Sequence, residues 1–379
     1  MRTCYYNQRT FQLKINAMKN KTFKIILKSV LSLLLVVVIA LASYVAYLFI
    51  DYDRIEDDIA LNITDNTHAF VPIEKELKIV SYNIGFCAYT QDFSFFMDGG
   101  EMSRAKSKES VNEVLDGIDT LLKKEDAEIV LLQEVDEDAD RSHHVDERAF
   151  LTKSATDYDC VFATNFDSAY LFYPFNKPHG KSLSGLLTLS KFDIYESTRR
   201  SLPVETSVMK IVDLDRCYSV SRLKTQSDKE LILYTVHLSA YTSDGTIATE
   251  QLKMLTDDME AEYSKGNYII CGGDFNKDLL QNSGEIFGVS GEEYTWAQAF
   301  PTQTLEGTGL SLVAPFNKEN PVATCRNTDE AYKEEGQFNV TLDGFIVSDN
   351  ISVSHSDVID TKFMYSDHNP VYMNFTLKK

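Results

Sequence analysis

Several times along this chain an uncommon polar residue stands at the edge of a short apolar run. IVSY is followed by Asn83, IVLLQ by Glu134, LYTV by His237, and YIICGG by Asp274, with Phe275 and Asn276 next. TLDGFIV carries Asp343 near its start, and Ser366-Asp367-His368-Asn369-Pro370 precedes the last apolar run. Taken singly, each has an ordinary explanation: a capping carboxylate, a structural histidine, an Asx turn or a pre-proline turn. Their recurrence at strand edges argues for a common site, because ligands of open α/β sheets gather beyond strand ends. If the ends converge, they bring together two amides, four carboxylates and two histidines. Such oxygen-rich, thiolate-free sets suit Mg²⁺, Mn²⁺ or Ca²⁺ better than zinc. No Ser or Cys pairs with a base in these motifs. The expected chemistry is therefore attack of an activated water on a metal-bound ester. Phosphate is the natural electrophile, since its transition state needs charge neutralisation.

The elements that must position these residues can be read from periodicity. Leu77–Ile84, Glu128–Gln133, Gly185–Ser190, Tyr218–Leu223, Leu231–Leu238, Tyr268–Gly272, Gly344–Ser348 and Val371–Leu377 read as strands. Ser107–Lys124 carries Val111, Val114, Leu115, Ile118, Leu121 and Leu122 at helical spacing, and Ile247–Lys265 reads as a second helix closed by Gly266-Asn267. This mixture predicts an α/β sandwich with sheets inside and helices outside. No internal repeat is visible. Residues 280–335 lack periodicity and read as long loops. With 90–105 and 170–182 they match no readable motif, so the segments expected to choose the substrate do not name it.

The first 50 residues differ from the rest. Ser29–Ile50 is 22 uncharged residues, enough for a spanning helix. Seven basic and no acidic residues lie in residues 1–50, whereas Asp51, Asp53, Glu56, Asp57 and Asp58 follow at once. The positive-inside rule then predicts residues 1–28 in the cytoplasm, 29–50 as a transmembrane signal-anchor in the cell membrane, 51–75 as a polar linker and 76–379 as an extracytoplasmic catalytic domain. A signal peptide cleaved after Ala40-Leu41-Ala42 is the rival reading, and it exports the same domain. Residues 51–379 hold 30 basic against 57 acidic residues, a formal net of −27. A body so acidic repels polyanions at long range and disfavours a tight nucleic-acid binder. Five Cys after the apolar segment, without close pairs, predict buried thiols rather than a zinc site or disulfide framework.

The motifs SYNIG, LLQEVD, SGLLTLSKF, TVHLSAY, GGDFN, LDGFIVS and YSDHNPV, in this order, resemble those of the endonuclease/exonuclease/phosphatase superfamily. Its branches include deoxyribonucleases, abasic-site endonucleases, neutral sphingomyelinases and inositol-polyphosphate 5-phosphatases. The resemblance runs from about Leu77 to Leu377. It implies a four-layer α/β sandwich with two central sheets of mixed or antiparallel strands. It further implies Glu134 as principal metal ligand assisted by Asn83, with Asp367 as a second metal-side carboxylate. Asp274 is implied to orient or deprotonate water, and Asn276 to contact the phosphate. His368 is implied as a phosphate contact oriented by Asp343. His237 resembles the histidine of the deoxyribonuclease and neutral sphingomyelinase branches, where it contacts the phosphate and protonates the leaving oxygen. Arg141, Lys181 and Arg216 are further candidates as anion clamps, against the alternative of ion pairs within an acidic body. The expectation is a membrane-anchored, bacterial-type, monomeric Mg²⁺-dependent hydrolase acting on a lipid headgroup or small phosphoester. A surface-anchored nuclease and a catalytically inactive binding module are the competing readings.

Overall fold

The structure is a computed structural model that describes residues 2–52, 54–64, 66–204, 210, 213–240, 246–289 and 296–379. It divides into two units, Met1–Asp53 and Arg54–Lys379. The first is one helix, α1 (Arg2–Asp51), continuous through both the basic and the uncharged stretch. Its Met18–Asp51 portion is long and apolar enough to cross a membrane. The uncharged Ser29–Ile50 rises about 33 Å at 1.5 Å per residue, close to the thickness of a bilayer's hydrocarbon core.

In the second unit the strands are β1 (Ile59–Ala60), β2 (Ile63–Thr64), β3 (Glu76–Asn83), β4 (Ile129–Ala139), β5 (Asp159–Asp167), β6 (Ser182–Ser190), β7 (Ile194–Ser201) and β8 (Cys217–Lys224). They continue with β9 (Glu230–His237), β10 (Tyr268–Asp274), β11 (Leu310–Val313), β12 (Cys325–Arg326), β13 (Asn339–Val340), β14 (Asp343–Ser348), β15 (Ile351–Val358) and β16 (Val371–Leu377). Helices α2 (Lys108–Glu125), α3 (Glu147–Ser154), α4 (Thr246–Tyr263) and the short α5 (Ser283–Ile286) lie between them. Among the described residues they build two seven-stranded sheets, ordered β15-β16-β3-β4-β6-β5-β2 and β1-β7-β8-β9-β10-β14-β11, plus the ribbon β12-β13. Each large sheet has a parallel pair near its centre, β3/β4 in one and β9/β10 in the other. A parallel pair needs a crossover, and α2 and α4 supply it.

The alternation of side chains along these strands makes the layers. Leu77, Ile79, Ile129 and Leu131 face Leu231, Leu233, Ile270 and Phe345 to form the core between the sheets. On the outside, Val80, Tyr82, Val130 and Leu132 pack against Val111, Val114, Leu115 and Ile118 of α2. Ile232, Tyr234 and Ile269 pack against Leu252, Leu255 and Met259 of α4. The expected four-layer sandwich is therefore the observed one. α2 begins where the Ser107 hydroxyl accepts from the Ser110 N–H and ends at Asp126, in the left-handed region. Cys87, Cys160, Cys217, Cys271 and Cys325 are free and buried.

Among the longer elements, β5, β7, β15 and α3 escape the periodicity reading, as do the short β1, β2, β11, β12, β13 and α5. In β7 the reason is chemical: its inward positions are Ser197 and Arg199, which look like solvent-facing residues in the sequence. Residues 280–335 are irregular only in part, because β11 pairs with β14 at the sheet edge. Residues 290–295 of that stretch lie outside the described residues.

The expected polar linker over 51–75 is corrected. β1 pairs with β7 at the edge of one sheet and, three residues on, β2 pairs with β5 at the edge of the other. Val71 is fully buried and bonds Lys224. The apolar residues responsible, Ile59, Leu61, Ile63, Val71 and Ile73, are isolated among polar ones and give too weak a pattern to read. Arg199 fastens this strap. Its guanidinium is buried and donates to the carbonyls of Thr164 (2.8 Å), Glu56 (2.9 Å) and Asp215 (2.9 Å). It thereby links β5, β7 and the strap. Arg199→Ala takes a charged donor from each of those carbonyls inside the protein and is expected to cost about 3 kcal/mol or more. Urea denaturation measures it, and a loss below about 1 kcal/mol would remove Arg199 as the fastening.

Candidate active site

Strand register assembles the site. The β9/β10 ladder pairs His237 with Asp274, and the β10/β14 ladder pairs Asp274 with Asp343. Three residues from three segments thus lie in one row at one sheet end. In the other sheet Asn83 pairs with Gln133, and Glu134 is the next residue. The register of β4 against β6 slips between Leu132 and Val135, and Glu134 has φ 55°. This bulge re-aims the Glu134 side chain out of the regular alternation. Two glycines permit the close approaches. A Cβ on Gly273 (φ +150°) would lie 2.0 Å from the Val236 carbonyl oxygen, so β9 excludes any side chain there. On Gly85 (φ +52°) it would lie 3.0 Å from Ser366 Oγ and 3.1 Å from Asp367 Oδ1. The SDHNP segment therefore rests directly on the end of β3.

Asn83 joins the two sheets. Its Nδ2 donates to Glu134 Oε1 (3.2 Å) and to Asp274 Oδ2 (3.1 Å), and its Oδ1 accepts from the Gly85 N–H (3.1 Å). Around Asp274 Oδ2 stand His237 Nε2 at 3.6 Å and His368 Nε2 at 3.7 Å, and His237 Nε2 is also 4.0 Å from Glu134 Oε1. Asp274 Oδ1 accepts from the Asn276 N–H (2.8 Å), while Asn276 Nδ2 donates to the Leu238 carbonyl (2.7 Å). His368 Nδ1 lies 2.8 Å from Asp343 Oδ2. The Ser366 hydroxyl donates to the Asn83 carbonyl (2.8 Å) and accepts from the His368 N–H (3.1 Å).

The two histidines are driven apart electrostatically. Burial opposes charge on His368, but the Asp343 carboxylate bonded to its Nδ1 holds its pKa well above the ordinary value. The Asp343 carboxylate thus favours the imidazolium form, with Nδ1 as donor. His237 goes the other way: burial, then the positive charges of Arg216, His368 and Arg141, push it well below the ordinary value. Its Nδ1 is buried without a partner among the described residues. Burial lifts the Asp274 carboxyl to about 7, against the opposing pull of His368. It likewise lifts Asp367 to about 6, with Glu134 adding repulsion.

Two groups of donors could take a cation. Ligand atoms of Asp274, Asp343 and His368 lie within 4.8 Å of one another. Within that set His368 Nδ1 and Asp343 Oδ2 are already bonded to each other at 2.8 Å. The set that the resemblance implies is Glu134 and Asp367, whose carboxylates offer hard oxygens, assisted by Asn83, whose amide here turns Nδ2 to Glu134 and Asp274 and Oδ1 to the Gly85 N–H. Two observations fit a cation there. The Glu134 side chain is 23% exposed, while the half-buried Asp367 lies close enough to Glu134 for their charges to repel. A divalent ion would relieve that repulsion.

The three basic candidates separate. Arg141 is held by two bonds to Asp136, Nε to Oδ2 (3.2 Å) and Nη2 to Oδ1 (2.8 Å), and stacks on Phe86 at 3.9 Å. It is an ion pair, as the alternative reading had it, although its charge still reaches Glu134 and His237. Lys181 is placed away from the carboxylates. It pairs with Asp167 (3.8 Å) just before Ser182, which registers with Ala139, about 16 Å along β4 from Glu134 at the usual strand rise. Arg216 is buried beside His237 and donates from Nη1 to the Leu238 carbonyl (3.1 Å). Its Nε has no partner, and among the described residues no carboxylate pairs with it. Two residues that complete the site carried little signal. Ser366 sits in a motif that reads as a turn. Thr324, whose Oγ1 accepts from the N–H groups of Leu342 and Asp343, lies in the aperiodic 280–335 stretch.

Comparison with known proteins bears on the fold and the family. No curated protein matches the chain. Among solved structures it is similar to an endonuclease/exonuclease/phosphatase from Beutenbergia cavernae DSM 12333 (TM-score 0.56, 17% identity, 80% of this chain and 72% of that one). It is also similar to ANGEL2, a 2′,3′-cyclic phosphatase, in complex with adenosine-2′,3′-vanadate (TM-score 0.53, 17% identity, 85% and 99%). A third is the human Nocturnin catalytic domain with bound sulfate (TM-score 0.51, 15% identity, 84% and 97%). At such identities the likeness is one of fold. The profile of the Endonuclease/Exonuclease/phosphatase family matches residues 80–368, a span that holds every residue from Asn83 to His368 described above. The chain belongs to the endonuclease/exonuclease/phosphatase family.

Proposed function

We propose that this protein is a divalent-metal-dependent phosphoester hydrolase, anchored by α1 and acting on a lipid headgroup or small phosphoester outside the membrane. The observation that carries the reading is the buried Asp274 carboxylate, which accepts from the Asn83 amide and has ring nitrogens of His237 and His368 at 3.6 and 3.7 Å. Glu134, Asn83 and Asp367 would hold the cation, with Mg²⁺ the first choice. A bound divalent cation supplies Lewis-acid neutralisation of phosphoryl charge.

The chain's own groups do the rest. Asp274 is fixed through Oδ1 by the Asn276 N–H and through Oδ2 by Asn83, so it can orient a water and take its proton. Its pKa near 7 suits a general base at neutral pH. The His368 imidazolium, steadied by Asp343, faces charge that builds on the phosphoryl oxygens. His237 rests neutral. An anionic substrate beside it offsets the repulsion from Arg216 and His368, which lets it carry a proton to the leaving oxygen. Arg216 supplies a nearby cation with N–H groups to spare. The −27 charge of residues 51–379 favours small or lipid-borne esters over nucleic acid. The basic flank of α1 supports a cytoplasmic N-terminus.

Three outcomes are expected. The full chain with Mg²⁺ should hydrolyse sphingomyelin, a phosphatidylinositol phosphate or bis-p-nitrophenyl phosphate faster than DNA or RNA, and a chelator should stop it. Turnover of nucleic acid alone would replace the lipid reading, and inactivity with every divalent metal would favour a binding module. Glu134→Gln should lower turnover by about 10²-fold or more with an unchanged thermal midpoint, since even groups behind metal ligands cost 10–100-fold. Wild-type turnover in this variant removes Glu134 as a ligand. The pH–rate profile should rise through about 7 as Asp274 ionises and stay high well above pH 6.5, where His368 keeps its proton. Asp343→Asn removes the group that raises His368. The basic limb should then move to lower pH, so that activity at pH 8 falls relative to pH 6. An unmoved basic limb would show that it reports some other group.

A further inference from the structure

One surface feature is unused by the site. The β5–β6 connection closes as a small hairpin, with Leu171 and Gly180 exchanging backbone hydrogen bonds (3.1 and 3.0 Å). Its tip carries Phe172, Tyr173 and Phe175, exposed by 49, 62 and 84%, and Met97 on the neighbouring β3–α2 connection is 69% exposed. The two connections are tied together. The Ser103 hydroxyl donates to the Lys177 carbonyl (2.6 Å), and His179 Nδ1 donates to the Ser103 carbonyl (2.9 Å). The tip is therefore held out by bonded backbone rather than left loose. Rings link it to the site wall: Phe175 to Tyr173 (5.9 Å), Tyr173 to Phe96 (5.6 Å), Phe96 to His179 (6.1 Å) and His179 to Phe86 (6.5 Å). Phe86 follows Gly85, against which Asp367 rests.

Aromatic groups kept in water on a rigid projection mark an interaction surface. Three observations bear on the occupant. Tyr and Phe partition favourably into the interfacial zone of a bilayer. The body is strongly acidic, which disfavours both nucleic acid and anionic lipid. The last helical residue, Asp51, lies three residues before Arg54, a reach of at most about 11 Å, so a membrane-spanning α1 keeps the body at the lipid surface.

We propose that the aromatic tip of Phe172, Tyr173 and Phe175, with Met97 beside it, inserts into the interfacial zone of a zwitterionic bilayer and so presents the catalytic cleft to lipid-borne substrate. The inference rests on the hydrolase and anchor readings above. Insertion adds apolar contact to the tether and sets which face of the body meets the lipid.

The test uses the full chain reconstituted in phosphatidylcholine vesicles, with Trp296→Phe removing the single native tryptophan. In that background Phe175→Trp is compared with Lys265→Trp, which precedes β10 at the sheet end opposite Asp274. Acyl-brominated phosphatidylcholine should quench the tryptophan at 175 at least twofold and leave that at 265 unchanged. Equal quenching overturns the proposal, as does quenching at 175 by an added single-stranded oligonucleotide in place of bromolipid, which would assign the tip to base stacking. A chain that fails to float with vesicles overturns the anchor and the docking together. In a second arm, replacing Phe172, Tyr173 and Phe175 by Ser should lower turnover of vesicle-borne substrate tenfold or more and leave soluble bis-p-nitrophenyl phosphate within twofold. Unchanged vesicle turnover, or equal loss on both substrates, overturns docking. If the wild type turns over neither substrate, the hydrolase reading has failed, and fluorescence still decides the docking.

Discussion

The site depends on keeping several carboxyl groups close together away from water. Glu134, Asp274, Asp343 and Asp367 come together here; Asp274 and Asp343 are buried and Asp367 is half-buried. Left alone, such groups would take up protons or push the sheets apart. The Asn83 amide and the His368 ring prevent this. Asn83 bonds one carboxylate from each sheet, and His368 places its cation between Asp343 and Asp274. Their donors make the two sheet ends compatible.

The architecture follows from that requirement. Each sheet contributes a βαβ unit, β3-α2-β4 and β9-α4-β10; β9 and β10 end together, and the β3/β4 pairing ends at Asn83 and Gln133 while β4 runs on to Ala139. Parallel pairing places two successive strand ends at the same edge of a sheet. Two such units stacked face to face bring Asn83 and Glu134 opposite His237 and Asp274. Antiparallel β14 then enters in the opposite sense, so its first residue, Asp343, falls in the same row. The hydrophobic layer between the sheets sets their spacing, and the polar contact of Thr188 with Thr235 (2.6 Å) crosses it.

The parts of this plan that were legible in the sequence are those where an apolar run stops at a polar residue. Asn83, Glu134, His237, Asp274 and Asp343 all lie at such boundaries, and the two long helices show their buried faces at helical spacing. Illegible parts are those in which polar residues point inward or apolar ones stand alone. β7 hides behind Ser197 and Arg199, and the strap of residues 54–64 behind single isoleucines. The pairing of Arg141 with Asp136 depends on the β4 extension beyond its apolar run, which nothing in LLQEVDEDAD announces. The twofold use of a βαβ unit is also invisible, because the two units share geometry but no residues. The strap's polar composition resembles that of a tether, yet its backbone completes both sheets.

Were α1 to span a membrane, as proposed, that strap would set where the body could be released. Between the last helical residue, Asp51, and the first fastened one, Arg54, whose guanidinium bonds the Leu202 carbonyl (2.7 Å), a cut would free a body with its edges intact. A few residues later the same cut would strip β1 or β2 from its sheet and expose two rows of unpaired backbone groups, an invitation to aggregate. Only a cut within that short window would leave both sheet edges paired.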